Sequence, residues 1–338
     1  MIALSRRALL AAPAALALPG AAMAQAPAKP LRVAFLWIPN VEYGGLWIAF
    51  DKGYLKTEEV QWQPGGPNAP AAVVSVAAGA ADIGVVQFLP FLDAVSRGND
   101  FVLLGTTFQR SPLGVLSLAG KPIRTAAELQ GKKILAQGPN ERTAVEAVLK
   151  LANLPGGVEF IPTGFSPEPL LARQGDGYTA FETNQAVTLE KMGMTRGKDF
   201  FFASMDEMGF RSYASMIFTT RKFLEEERPR VIRFMAGLTR GWAENAKDPA
   251  VGARLAVRNY GRDLGLDLDQ QTRQNTIQNQ FLRSPENPTA PLLSLDPALL
   301  GGKMMETARA TGRTNLPPVE RIADFTLMDE VHRLIAAG

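Results

Sequence analysis

From Leu31 onward, short apolar runs alternate with longer stretches of helical periodicity, and this rhythm constrains the fold more than any other feature of the chain. Strands separated by helices pair in parallel, and a parallel sheet buries both faces under those helices. The pattern predicts strands over Leu31–Trp37, Val60–Gln63, Ile83–Val86 and Phe101–Phe108. Helices are expected over Gly45–Lys52, Ala69–Ala78 and Pro90–Arg97, the last opened by a proline at its first position. Val115–Leu118 reads as a crossover strand, and Gly120-Lys121-Pro122 marks a change of direction.

A second series starts at Thr125-Ala126-Ala127-Glu128, where a threonine followed three residues later by a glutamate forms a capping box. Strands over Lys133–Ala136, Val158–Ile161, Gly177–Ala180 and Phe200–Ala203 alternate with helices over Glu141–Ala152, Pro167–Arg173 and Asn184–Met192. Ser212–Thr219 reads as a second crossover. Helices over Arg221–Glu226, Pro229–Asn245 and Pro249–Tyr260 are then expected to return to the first lobe, with Glu225-Glu226-Glu227-Arg228-Pro229-Arg230 as a solvated charge run.

The amino terminus is of a different kind. Ser5-Arg6-Arg7-Ala8-Leu9-Leu10 is a twin-arginine export signature, followed by an apolar stretch too short to span a bilayer. Ala22-Met23-Ala24 and Ala24-Gln25-Ala26 both suit signal peptidase, so the mature chain is expected to begin near Gln25 and to work in the periplasm. The expected organisation is a signal peptide over 1–24, a first lobe over 25–118, a second lobe over 119–212, and a return to the first lobe over 213–338. With the leader removed, the formal net charge of +3 loses Arg6 and Arg7 and becomes about +1, which is no nucleic-acid footprint. The chain of 338 residues has no cysteine, so disulfides, thiolate metal sites, cysteine nucleophiles and a lipid anchor on a mature N-terminal cysteine are all excluded. One histidine, His332, cannot by itself build an ordinary zinc or iron site. The sequence contains no G-x-S-x-G elbow and no phosphate-binding or dinucleotide glycine motif. These features describe a binder of a small molecule, with no cofactor and no catalysis.

Three motifs in order carry a family resemblance. Trp37-Ile38-Pro39-Asn40, Gly45-Leu46, Ala49 and Lys52-Gly53-Tyr54 form the first; Val76-Ala77-Ala78-Gly79-Ala80-Ala81-Asp82-Ile83-Gly84 is the second; Ile123 to Ile134, with Leu129-Gln130-Gly131-Lys132-Lys133, is the third. Over roughly Leu31–Leu238 the chain resembles the NMT1/THI5-like periplasmic substrate-binding proteins of ABC importers. That resemblance implies a type II periplasmic-binding-protein fold, α/β in class, with two lobes joined by two crossover strands and a ligand cleft between them. It also implies delivery to an ABC importer permease in the inner membrane, by a receptor expected to be a monomer. Trp-Pro-Asn followed by Gly-Leu is most similar to the members that bind thiamine-precursor pyrimidines; an aliphatic sulfonate, nitrate or another small organic solute is the alternative. Val41-Glu42-Tyr43 and Thr57-Glu58-Glu59-Val60 depart from the pyrimidine pattern. The resemblance extends to eukaryotic pyrimidine synthases, whose iron chemistry rests on His and Cys residues, whereas this chain has no Cys and only the distant His332.

In open α/β sheets, ligands bind at the carboxyl ends of the strands and at adjoining helix N-termini. Candidate ligand-binding residues are therefore Trp37, Asn40, Tyr43, Gln87, Asn140, Phe181 and Glu182. Trp37 offers a stacking face or is a core tryptophan, and Asn40 reads a donor–acceptor pair or merely completes the turn begun by Pro39. Asn140 is placed to cap a helix beginning at Glu141, whose charge would oppose an incoming anion or simply complement the helix dipole. Phe181 and Glu182 join an aromatic ring to a carboxylate, although Glu182 also fits a solvated loop. With Glu42 and Asp176 nearby, the expected pocket is aromatic and acidic and takes a neutral or cationic nitrogen heterocycle.

Overall fold

The computed structural model describes residues 29–66 and 68–337, so the export signature and its cleavage sites lie outside the described residues. Among the described residues ten strands form two five-stranded sheets. The first has the order β2-β1-β3-β10-β4, built from β1 (Leu31–Ala34), β2 (Val60–Gln63), β3 (Ile83–Val86), β4 (Phe101–Phe108) and β10 (Ala214–Thr220). The second has the order β7-β6-β8-β5-β9, from β5 (Leu113–Leu118), β6 (Lys133–Ala136), β7 (Glu159–Pro162), β8 (Gly177–Phe181) and β9 (Phe200–Ser204). In each sheet four strands run in one direction, and the fifth, from the other half of the sequence, lies antiparallel to its neighbours, β10 against β3 and β4, β5 against β8 and β9. The lobes are therefore of the two-lobed α/β kind.

Both crossovers differ in detail from the sequence reading. Because β5 pairs with β8 and β9, Val115–Leu118 belongs to the second sheet, and the chain changes lobe earlier, at Gln109–Pro112. It returns through Met205–Tyr213. Pairing partners, which no local pattern encodes, decide where such a boundary falls.

The α-helices as far as Gln278 are α1 (Gly44–Asp51), α2 (Ala72–Ala77), α3 (Phe88–Ser96), α4 (Pro139–Leu151), α5 (Glu168–Leu171), α6 (Val187–Lys191), α7 (Arg221–Lys247), α8 (Pro249–Leu255) and α9 (Leu268–Gln278). Helix α3 begins two residues before Pro90, which is tolerated in a first turn because no N–H is needed there. The two helices expected around Pro229 run on as α7, with the break confined to Glu227 (φ −124°, ψ 20°). Arg228 there is not simply solvated: its guanidinium binds Asp324 and Glu330, 2.6 Å from each, which ties α7 to the C-terminal helix Leu327–Ala337. The capping box at Thr125 is formed, with Glu128 accepting from the Thr125 N–H.

Two motif segments owe their residues to packing. Helices α1 and α7 cross so closely that a Cβ at Gly241 would stand 1.9 Å from the Gly45 carbonyl oxygen, and one at Gly45 would lie 2.4 Å from the Trp242 ring. Asp82 accepts from the Arg32 backbone N–H at 2.8 Å and from its guanidinium at 2.5 Å, locking β1 to the start of β3. The C-terminal helices do not all return to the first lobe: Met305–Ala310 packs on α4, with Met305 and Ala308 buried in the same apolar cluster as Val145 and Val148.

Candidate functional site

The parallel strands of both lobes point their carboxyl ends at one cavity of about 360 Å³, within the range of small-molecule sites. From the first lobe come Leu36, Trp37, Asn40 and Glu42 after β1, Gln87 after β3, Phe108 at the end of β4, and Ser215 at the start of β10. The second lobe supplies Gln137 to Glu141, which run from β6 into the first turn of α4, Phe165 after β7, Phe181 at the end of β8, and Thr183 to Gln185. Helix α9 adds Gln274 and Gln278.

Aromatic rings cover the cavity from both sides. Trp37 meets Phe165 edge to face across the cleft, with centroids 5.1 Å apart and planes at 65°, and Phe165 remains 50% exposed. This geometry leaves a π-face for a flat guest. Asn40 both caps and lines: its Oδ1 accepts from the Glu42 N–H at 2.8 Å, and its carbonyl accepts from the Trp47 indole at 2.8 Å. The Asn40 amide nitrogen has no partner among the described residues, and neither has the Gln87 side chain. Other amides are committed to the frame: Gln137 accepts from Thr179 at 2.6 Å and donates to Tyr178 at 3.0 Å, and Gln185 accepts from the Phe181 N–H at 2.9 Å.

Of the seven sequence candidates, Trp37, Asn40, Gln87, Asn140 and Phe181 line the cavity, and Tyr43 and Glu182 do not. Tyr43 is buried behind it, stacked on Phe35 at 3.8 Å, with its hydroxyl accepting from the Trp37 N–H at 3.0 Å. It orients the loop that carries the indole, and burial pushes its phenol well above the ordinary value. Glu182, the first residue of the helical turn after β8, pairs instead with Arg196 at 2.5 Å. Asp176 precedes β8 and so sits at the opposite edge, where Lys121, at 2.8 Å, and the Lys133 N–H hold its carboxyl below the usual range. Asn140 does not cap: α4 starts at Pro139 with Gly138 as its cap, and Asn140 is its second residue.

The carboxylates that do face the cavity are Glu42 and Glu141. Burial raises Glu141 above the ordinary range, against the N–H groups of Glu141 itself and of Gly138, onto which the carboxylate folds at the first turn of α4. The helix N-terminus is thereby already occupied by a negative charge. Glu42 is pushed up to about 6 by burial, which outweighs a 2.8 Å hydrogen bond from Ser215. Ionising Glu42 in the empty protein costs free energy, so its contribution to stability falls as the pH rises from the ordinary carboxylate range through about 6. No lysine, arginine or histidine is among the described residues that line the cavity. No group of three or more His, Cys, Asp or Glu residues among the described residues is placed to hold a metal.

Sequence reasoning missed Phe165, Ser215 and the glutamines of α9. The signal for α9 lay in Gln271, Gln274 and Gln278, which share one helical face at i, i+3 and i+7 and are buried.

Solved structures share this architecture. The periplasmic aliphatic sulphonate binding protein SsuA of Escherichia coli superposes with a TM-score of 0.65 at 14% identity, over 88% of this chain and 98% of that one. The alkanesulfonate-binding protein SsuA of Xanthomonas axonopodis, bound to MOPS, gives 0.61 at 16% identity, over 88% and 99%. The ligand-binding component of an ABC-type import system of Staphylococcus aureus, with zinc bound, gives 0.65 at 10% identity, over 90% and 99%. No curated protein matches the sequence significantly. The family model described as NMT1/THI5 like matches residues 40–251, and with more than half its length so matched, the chain belongs to the NMT1/THI5-like family.

Proposed function

We propose that this protein is an exported solute-binding receptor of an ABC importer, and that its ligand is a flat nitrogen heterocycle of the thiamine-precursor pyrimidine type. One observation carries the ligand reading: the described lining combines Trp37, Phe165 and Phe181 with free amides at Asn40 and Gln87 and two carboxylates, and it offers no cation. A sulfonate or nitrate buried there would lack a counter-charge and would face Glu141 at the helix end where anions otherwise bind. A heterocycle stacks on Trp37 and exchanges hydrogen bonds with Asn40, Gln87 and Asn140. The neighbours named for sulfonates share the fold, and this cavity differs in kind from an anion site. The receptor captures its ligand without chemistry and passes it to a permease in the inner membrane.

Calorimetry on the mature protein tests the ligand class. An aminopyrimidine binds, while an alkanesulfonate and nitrate do not, and Trp37→Ala weakens binding by about 1–3 kcal/mol, or about 5-fold to 150-fold. Tight sulfonate binding that ignores Trp37→Ala would reverse the assignment. Delivery to the periplasm follows from Arg6 and Arg7. Replacing both by lysine abolishes export, and cell fractionation that still finds undiminished mature protein in the periplasm would rule out the twin-arginine route.

A further inference from the structure

We propose that Glu42, held by Ser215 in the wall of the cleft, is the residue that selects the ligand's charge, taking a cationic amino group into direct contact. The proposal rests on the receptor reading and goes beyond it by assigning one end of the ligand and its charge.

The carboxylate is held by an extensive frame. Its own N–H donates to Asn40 Oδ1, and the preceding residue, Val41, is gripped on both sides by α9, with its N–H donating to Gln271 Oε1 at 2.9 Å and its carbonyl accepting from Gln278 Nε2 at 2.7 Å. Ser215 donates to Glu42 Oε1 at 2.8 Å from a left-handed backbone conformation, φ +52°, which costs free energy for any residue but glycine. That strain sits where β10 reaches the cavity, and it delivers the one hydrogen bond that Glu42 receives on its side chain among the described residues.

No described residue that faces the carboxylate supplies a positive charge. Beside it on its own turn is Tyr43, a protonated phenol bonded to the Trp37 N–H. Behind it a small chamber of about 30 Å³, which Glu42 and Ser215 also line, is walled by Phe35, Leu46, Phe234 and Trp242 with their apolar neighbours. Helix α9 presents the neutral Gln274 and Gln278, β10 presents Ser215, and across the cavity α4 presents Glu141, itself acidic. A buried carboxylate with a neutral partner and no cation is stabilised most by a ligand that brings its own. Glu141 does not compete equally, since it is folded onto the end of its helix.

Proton linkage follows. Burial has raised Glu42 to about 6, and an ammonium group in contact favours the ionised form, so a cationic ligand displaces the carboxyl proton to solvent when it binds at or below that pH. Its affinity is highest above pH 6 and falls by about tenfold between pH 7.5 and pH 5.

The test uses a charge series on one ring, benzylamine against benzyl alcohol, with 4-aminopyrimidine as a separate arm, titrated into the mature protein by ligand-observed NMR. Wild type is expected to bind benzylamine at least about tenfold tighter than benzyl alcohol at pH 7.5, with the preference lost toward pH 5. Glu42→Gln, which keeps the shape and the Ser215 hydrogen bond, equalises the two. The proposal is overturned if Glu42→Gln retains the preference, if Glu141→Gln alone erases it, or if wild type shows none. Should Glu42→Gln fail to fold, the pH profile of Glu141→Gln decides: a flat profile overturns the proposal, and a decline through pH 6 that persists without the Glu141 carboxylate upholds it. Binding of 4-aminopyrimidine without a benzylamine preference sinks the role of Glu42 and leaves the heterocycle reading standing. A preference erased in Glu42→Gln, with no binding of 4-aminopyrimidine, upholds Glu42 and sinks the heterocycle.

Discussion

Trp47→Ala lowers the stability of the protein by about 3–5 kcal/mol in urea unfolding, with little change in the denaturant slope. Trp47 is fully buried and stands at the centre of an aromatic cluster, stacked on Tyr260 at 4.4 Å and edge to face with Trp62 at 5.4 Å and Phe35 at 5.8 Å. Truncation removes that packing and leaves a void that the crowded α1–α7 crossing cannot collapse to fill. It also removes the indole N–H from the Asn40 carbonyl, so the loop that carries Asn40 and Glu42 loses an anchor and ligand affinity falls with stability. Trp47→Phe separates the two effects. It restores most of the volume but not the indole hydrogen bond, leaving the Asn40 carbonyl with the longer bond from the Tyr43 N–H at 3.3 Å, and it should cost about 1–3 kcal/mol for the lost bond and the partial void. A Trp47→Ala protein within about 1 kcal/mol of wild type would mean that the cluster does not support the loop.

The second large effect is at the return crossover. Arg211 donates to both oxygens of Asp206, at 2.9 and 2.7 Å, and to Glu286 at 2.7 Å, with Arg211 and Asp206 largely buried. Burial already lifts Asp206 above the usual carboxylate range, against Arg211 and Arg110. Arg211→Met leaves that carboxyl buried without its main partner, at a cost of about 3–5 kcal/mol. The sign of the pH dependence is fixed: Asp206 rises further in the variant, the folded state then holds more protons than the unfolded state, and the deficit shrinks as the pH is lowered. The double variant Arg211→Met, Asp206→Leu recovers most of the loss, because neither charge remains in the interior. Thermal unfolding across pH measures both, and a single variant as stable as wild type, or a double variant no better than the single, would contradict the account.

Much of this was legible in the sequence because alternation and caps act locally. The strands at Val60–Gln63, Ile83–Val86, Phe101–Phe108 and Lys133–Ala136, and the capping box at Thr125–Glu128, are found where hydrophobic periodicity and turn chemistry placed them. Position at a strand's carboxyl end likewise brought Trp37, Gln87 and Phe181 to the cavity, since direction along a parallel strand is fixed by sequence order.

Side-chain direction and long-range pairing were not legible. Glu182 follows directly on Phe181 at the end of β8, yet its carboxylate pairs with Arg196, fourteen residues on, and does not line the cavity. Glu42 reaches the cavity only because Gln271 and Gln278, some 230 residues later, hold the peptide of Val41 and Ser215 meets it from β10. The sequence by itself determined the class of fold, the order of its elements and which loops border the cleft, through interactions among residues close along the chain. The tertiary structure alone decided which strand joins which sheet, which carboxylates face the cavity and that no described cation opposes them, because burial and hydrogen bonding depend on neighbours that the chain brings together only when it is folded.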